Sequence, residues 1–383
     1  MTGYLIDAIK KIVPLPVKEA LLNIVNVFRN RRYKKKLGKT PFNLPSGGVA
    51  LNYGGVIPRE PDAIIHGGKV KLIALDDLFP ENSGSFNVLY LVSSALPPFA
   101  EEYVRWAKGK GVKLVWNQNG VAYPAWAGAK YEKMNRPMKS IINMADFIFY
   151  QSRFCRESAD RYLGETSSPW GIAYNYVDTD VFTPSAAAKP MDTWNILSAG
   201  SHLKRHRAIA VLETAANLIK RGRKIELTMA GPMAWEGAAT DMEKEIERLS
   251  IGRYVKLVNS FTRDEAPGIY QNAHVLLHTK YFDPCPTVPL ESMACGVPVV
   301  GVNNGGMPEL VSDKAGILVE TKKSWEKIED PDTDHLAEAV ERVMENYDEF
   351  CKHARLHAVE NFGKDKWLDD HKQVFTKLVN DKN

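Results

Sequence analysis

YFDPCPTVPLESMACGVPVVGVNNGGMPELV, residues 281–311, decides how the rest of the chain is read. Asp283 follows the apolar run HVLLHT (274–279), and Pro284 and Pro286 hold the next loop open. A helix begins near Thr287 and ends at Gly296, and VPVVGV (297–302) then reads as a strand buried on both faces. Strand, loop, helix and strand in that order form the repeating unit of a parallel sheet. The helix start, Pro286 to Val288, leaves the amides of Thr287 and Val288 free, an anion site suited to a diphosphate. Glu291, about one turn on, can accept two hydrogen bonds from a vicinal diol such as ribose. Asn304-Gly305-Gly306 is a loop that lets backbone approach a ligand.

The same alternation extends in both directions. Upstream lie WNILSAG (194–200), IELTMAG (225–231) and VKLVN (255–259), and downstream GILVE (316–320), with helical patterns at 206–221, 239–249, 263–271, 287–295 and 333–347. TPSAAAKPMD (183–192) interrupts the pattern as a linker. Before it, VALNY (49–53), NVLYLV (87–92), VKLVW (112–116) and FIFY (147–150) form a second series, with helices at 68–79, 98–110 and 130–144. The fold class is therefore α/β, two doubly wound Rossmann-like domains facing each other across a cleft. The expected divisions are a basic arm (1–46), a first domain (47–182), the linker, a second domain (193–362) and a final helix (363–383) with Trp367, Val374, Phe375 and Leu378 on one face. Ligands bind at the carboxyl ends of the strands in such sheets.

The 281–311 passage resembles the donor-site signature of the retaining glycosyltransferases of family 4, in which two carboxylates separated by seven residues precede a small-residue, Gly-x-Pro strand. Asp283 and Glu291 stand at that spacing. The resemblance implies the GT-B fold and a nucleoside diphosphate sugar as donor. It also implies that Asp283 binds donor-sugar hydroxyls and that Glu291 binds the ribose. Asp283 stands where the family usually has glutamate, which draws the charge back by about one methylene. In AGSHLKRHRAIAVLE (199–213), the family's arginine after the glycine and lysine near the helix start are replaced by Ser201 and His206. Lys204 and Arg205, with Arg207 in the same loop, are assigned the missing charges, and His206 is kept at the lysine's position. Gly200 and Gly231, ending their strands, complete the donor set with Gly305 and Gly306.

On the acceptor side the resemblance points to Gly67-Gly68, with Gly54-Gly55 as rival, and to Asn119, where the family often has histidine. An amide cannot act as general base near pH 7, so the acceptor's proton must be taken elsewhere, and the resemblance implies the leaving phosphate oxygen. The resemblance also implies that the final helix crosses back onto the first domain. Asp178-Thr179-Asp180 and Asp330-Pro331-Asp332 read as turn and capping acids, and leaving-group charge is met by Lys, Arg and helix termini. No essential metal and no cofactor are expected.

Charge adds a partner to this reading. Residues 1–39 hold ten basic residues and two acids, a net +8, against +4 for the whole 383-residue chain. Apolar residues at helical spacing over 3–30 precede the cluster Arg29 to Lys36. This is either an amphipathic arm for an anionic membrane or a helix packed on the body with a solvated basic side. No nucleic-acid motif is present. No stretch reaches about 18 apolar residues, the length needed to span a membrane. Four scattered cysteines suit a reducing compartment. The expected function is transfer of a hexosyl unit to a glycan or lipid-linked acceptor in bacterial surface polysaccharide synthesis. The expected place is the cytoplasm, at the inner face of the membrane if the arm binds it. The alternatives are a nucleotide-sugar-binding protein without transfer, or an epimerase of the same fold.

Overall fold

The structure, a computed structural model, describes residues 28–57 and 67–381. The helices expected between residues 3 and 27 lie outside the described residues. Two parallel sheets organise the chain. The first contains β1 (Leu51–Asn52), β2 (Val88–Val92), β3 (Lys113–Gln118), β4 (Phe147–Tyr150) and β5 (Trp170–Ile172) in spatial order β1-β2-β3-β4-β5. Alternation in β2 decides its two faces. Val88, Tyr90 and Val92 meet α2 (Gly67–Leu78), whereas Leu89 and Leu91 meet α3 (Ala100–Gly109) and α4 (Tyr131–Ile142). The helix α5 (Arg153–Leu163) joins the second of these faces through Cys155, Ala159 and Leu163.

Helix α1, residues 28–39, packs against α3 through Leu37 and through Tyr33, whose ring lies 5.1 Å from that of Phe99. Lys34 reaches Glu102 at 3.9 Å. The other cations, Arg29, Arg31, Arg32, Lys35, Lys36 and Lys39, are exposed.

The second sheet contains β6 (Trp194–Ala199), β7 (Ile225–Ala230), β8 (Val255–Val258), β9 (Val275–His278), β10 (Val299–Val302) and β11 (Gly316–Val319). Its order, β11-β10-β9-β6-β7-β8, reverses direction between β6 and β9. Helices α6 (Arg205–Lys220), α7 (Ala238–Arg248) and α11 (Thr333–Glu345) bury one face. On the other lie α8 (Ala266–Gln271), α9 (Thr287–Ala294), α10 (Met307–Leu310) and α12 (Tyr347–Phe362).

After α12 the chain passes beside the segment that left the first domain, where the Val177 amide donates to the Phe362 carbonyl at 2.8 Å. Helix α13 (Lys364–Asn380) then buries Trp367, His371 and Phe375 against the first sheet. Both Asp-x-Asp sequences shape backbone. Asp178 accepts from the amides of Asp180 and Val181, and Asp332 caps α11 by accepting from Asp334 and His335.

Candidate donor site at the sheet reversal

Where β6 and β9 part, the strand ends open a crevice. Gly200 and Gly231 form its floor, both at positive φ. A Cβ on Gly231 would lie 2.4 Å from the Gly200 carbonyl oxygen, so only glycine fits. A Cβ on Gly200 would come within 3.1 Å of Val288, which places the start of α9 beside the Gly200 turn. No side chain caps α9, so the amides of Thr287 and Val288 at its start have no side-chain partner.

Arg207 lies buried beneath the turn. Its guanidinium donates to the carbonyls of Ala199 (2.6 Å) and Ser201 (2.9 Å), while its Nε has no partner. The Thr279 hydroxyl donates to the Arg207 carbonyl at 2.8 Å and ties the end of β9 to the first turn of α6. Lys204 is exposed at the residue before α6. Arg205 corrects the sequence reading: it is engaged by Asp241 (3.3 Å) and Glu245 (2.6 Å) of α7 instead of facing the turn. The reason is geometric, since the first residue of α6 points across to the neighbouring helix. His206 is half-buried and its Nε2 has no partner. Burial, reinforced by Lys204 and Arg207, pushes its pKa down, so it holds no lysine-like charge at neutral pH.

Asp283 is 5% exposed, and both of its carboxylate oxygens are engaged. Oδ2 accepts from His278 Nε2 at 3.1 Å, and Oδ1 lies 3.0 Å from Lys280 Nζ. Burial works to raise the carboxyl, but Lys280 and then His278 outweigh it and hold it well below the usual range. Phe282 adopts φ 48°, a left-handed conformation rare for a bulky residue, and its amide is held by Asn304 Oδ1 at 2.8 Å. The Gly306 amide donates to the Asp283 carbonyl at 2.8 Å. A Cβ on Gly305 would stand 2.5 Å from that carbonyl oxygen, and one on Gly306 would stand 2.1 Å from that of Pro284. The two glycines therefore seat the Asp283 loop. Glu291 accepts from the Tyr270 hydroxyl at 2.6 Å, and burial raises its pKa.

The first domain meets this loop directly. A Cβ on Gly120 would lie 2.9 Å from Pro284, and the Ser152 hydroxyl donates to the Pro284 carbonyl at 2.7 Å. Asn119 thus stands at the donor loop, but its side chain is engaged by Ser94 and Gln151. Gly67 and Gly68 open α2. Their rivals, Gly54 and Gly55, form a turn in which Glu81 accepts from the Gly55 amide at 2.9 Å. Sequence reasoning missed Glu309, whose carboxylate crosses to the start of α5 and accepts from the amides of Arg153 (2.7 Å) and Phe154 (3.0 Å). It also missed His278, Lys280 and Tyr270. A cavity of about 590 Å³ opens on the flank of this contact, lined by Arg153, Arg156, Trp170, Phe282, Gly305 and Trp325, and by neither Asp283 nor Glu291.

Residues 182–358 match the family model of glycosyl transferases group 1. That stretch, just under half of the chain, is similar to the group 1 glycosyltransferases. Among curated relatives, the D-inositol 3-phosphate glycosyltransferase of Paenarthrobacter aurescens is 30% identical over 156 residues, 38% of each chain. The mouse alpha-1,3/1,6-mannosyltransferase ALG2 is 27% identical over 143 residues, 36% of this chain and 32% of that protein. The chain thus spans about two fifths of the first relative and a third of the second. Anabaena HepE in complex with UDP superposes with a TM-score of 0.63 at 16% identity, covering 80% of this chain and 81% of that one. A glycosyltransferase from Rickettsia africae gives 0.62 at 14% identity, covering 93% and 95%. These likenesses and the two parallel sheets establish the GT-B fold.

Proposed function

We propose that the protein transfers a hexosyl unit from a nucleoside diphosphate sugar to a glycan or lipid-linked acceptor, with retention at the anomeric carbon, in bacterial surface polysaccharide synthesis. One observation carries this reading: Asp283, the free amides of α9, buried Arg207 and Glu291 converge where the second sheet reverses. Asp283 would take donor-sugar hydroxyls, the amides the diphosphate and Glu291 the ribose. The bond from the anomeric carbon to the β-phosphate oxygen breaks, and its electron pair stays on that oxygen. The acceptor oxygen bonds the anomeric carbon, and its proton passes to the departing phosphate. That route suits a site whose Asn119 cannot act as a base. Leaving-group charge is met by cationic side chains and amides without an essential metal. Uridine diphosphate is the first nucleotide to test, because it occupies the Anabaena neighbour.

Among the described residues no helix is long and apolar enough to cross a membrane. The exposed cations of α1 favour peripheral contact with an anionic leaflet on the cytoplasmic side.

A thermal-shift panel of UDP, GDP, dTDP and CDP, each with excess EDTA, tests the donor site. A ligand at ~100 times its dissociation constant adds about 2.7 kcal/mol of stability. One nucleotide should stabilise wild type and fail to stabilise Glu291→Ala. No shift from any of the four would overturn a metal-independent nucleotide site. Binding without turnover would favour the second reading, a nucleotide-sugar-binding protein, which the neutral His206 and the occupied Asn119 amide support.

A further inference from the structure

The donor-site reading leaves a deficit of charge, and the structure points to what fills it. A diphosphate entering the crevice brings at least two negative charges and gains another as the sugar departs. The family's cation positions hold Ser201 and His206, the latter half-buried among other cations. Arg205 is bound to two carboxylates of α7. Arg207 charges the floor, but it is tied to two carbonyls and has no room to follow a ligand. Lys204 is exposed at the outer edge of the turn.

Lys280 differs from all of these. It sits two residues past β9, at the sheet reversal, and its side chain is 41% exposed, whereas the Asp283 side chain it contacts is 7% exposed. The ammonium therefore lies over the carboxylate from the open side. Its long stem lets it move. Asp283 cannot follow, because His278 holds Oδ2 and the Phe282 and Gly306 backbone contacts hold the loop. Lys280 also occupies Oδ1, an oxygen a donor sugar would need.

We propose that Lys280 is the cation of the leaving group, parked on Asp283 until a bound diphosphate draws it to the β-phosphate and a donor sugar then takes its place on the carboxylate. The proposal rests on the donor-site reading above. Sugar recognition and diphosphate stabilisation become one exchange. The ammonium turns to the phosphate, a sugar hydroxyl donates to Asp283 Oδ1, and Lys280 remains on the phosphate as the anomeric C–O bond breaks and its electron pair moves onto the phosphate oxygen. The acceptor's proton goes to that oxygen, so Lys280 stays protonated throughout.

The test uses the full chain, the nucleoside diphosphate among UDP, GDP, dTDP and CDP that stabilises wild type most, and its monophosphate. Lys280→Gln should lower affinity for the diphosphate at least tenfold and change affinity for the monophosphate less than twofold. With the matching nucleotide sugar, kcat should fall about 10²–10³-fold, the usual loss when one donor to the developing anionic charge is removed, with KM within a few-fold. Lys280→Arg should restore most of the diphosphate affinity. Unchanged diphosphate affinity in Lys280→Gln, with altered discrimination among donor sugars, would overturn the proposal and leave Lys280 as a positioning residue for Asp283. Binding of none of the four to wild type would instead overturn the donor-site reading, and the proposal with it.

Discussion

Acidification from pH 6.5 to 4.5 should unfold this protein, and three histidines set the size of the effect. His202, His278 and His371 are each at most 2% exposed. Burial lowers their pKa values to about 3, about 4 and about 3 respectively. His371 shows why it stays neutral. Its Nδ1 donates to the Trp367 carbonyl (2.8 Å), and its Nε2 accepts from the Tyr90 hydroxyl (3.1 Å), itself the acceptor of Asn117. An added proton would face a donor in a fully buried site. In the unfolded chain each ring titrates near 6.5. A base with a depressed folded pKa contributes stability that is complete above the unfolded value and lost as pH falls toward the folded one. Each pH unit costs about 1.4 kcal/mol per histidine, hence roughly 2.7 kcal/mol each by pH 4.5 and ~8 for all three. That is comparable to a typical domain's whole stability of about 5–15 kcal/mol. Glu291 opposes the trend, because its raised pKa gives back stability on acidification, and Asp283 is lost only below about pH 4. Urea unfolding at pH 7.5, 6, 5 and 4.5 measures the slope, followed by circular dichroism and by tryptophan fluorescence, to which Trp367, 3.8 Å from the His371 ring, contributes from the first domain. His371→Gln should flatten the first-domain transition and leave the second-domain slope. A wild-type midpoint that stays constant between pH 7 and 5 would refute the burial argument.

Lys71→Met should stabilise the first domain by about 3 kcal/mol at pH 7, because burial lowers the lysine to about 8 and the protein bears that cost at every pH below it. Urea titration should also lose the rise in stability between pH 8 and 10.5, and a less stable variant would show that the ammonium has a compensating partner. Replacing Arg29, Arg31, Arg32, Lys35 and Lys36 with glutamine should cut partition onto vesicles containing phosphatidylserine, at roughly 1 kcal/mol per residue near the surface. Co-sedimentation at 50 and 300 mM salt reads it, and an unchanged bound fraction would remove α1 from membrane contact.

Much of this architecture was legible because the strands of a doubly wound sheet are buried on both faces and write themselves as continuous apolar runs. FIFY at 147–150 is β4 residue for residue, and the spacing of Asp283 and Glu291 survives as a loop acid and a helix acid. Elements carried by few apolar residues were not legible. Helix α5, RFCRESADRYL, buries only Cys155, Ser158, Ala159 and Leu163, and β5 is three residues long. Partners set by tertiary approach were equally hidden. Tyr270 reaches Glu291 across 21 positions, and Glu309 reaches Arg153 across 156. The basic run at 204–207 shows the limit of local reading. Four adjacent residues carry similar chemistry, yet the fold sends Arg205 outward to α7 and Arg207 beneath the turn.

The shorter carboxylate is best understood through the backbone that carries it. A phenylalanine at positive φ costs of the order of 1–3 kcal/mol and persists only when its surroundings hold it there. Around Phe282, two constraints come from the second domain: Asn304 on its amide, and the Gly305–Gly306 loop, too close for any side chain. The remaining constraint spans both domains. The Phe282 ring packs 5.7 Å from Tyr123 and 5.1 Å from Phe154 of the first domain, and 4.7 Å from Trp325 of the second. The residue that aims Asp283 is thus held partly by the opposite half of the molecule. Separating the domains would remove Tyr123 and Phe154 and the Ser152 bond to Pro284 together. The position of the Asp283 carboxylate therefore depends in part on the docked pair of domains, and a second domain expressed alone would keep Asn304, the glycine loop and Trp325 but lose Tyr123, Phe154 and the Ser152 bond.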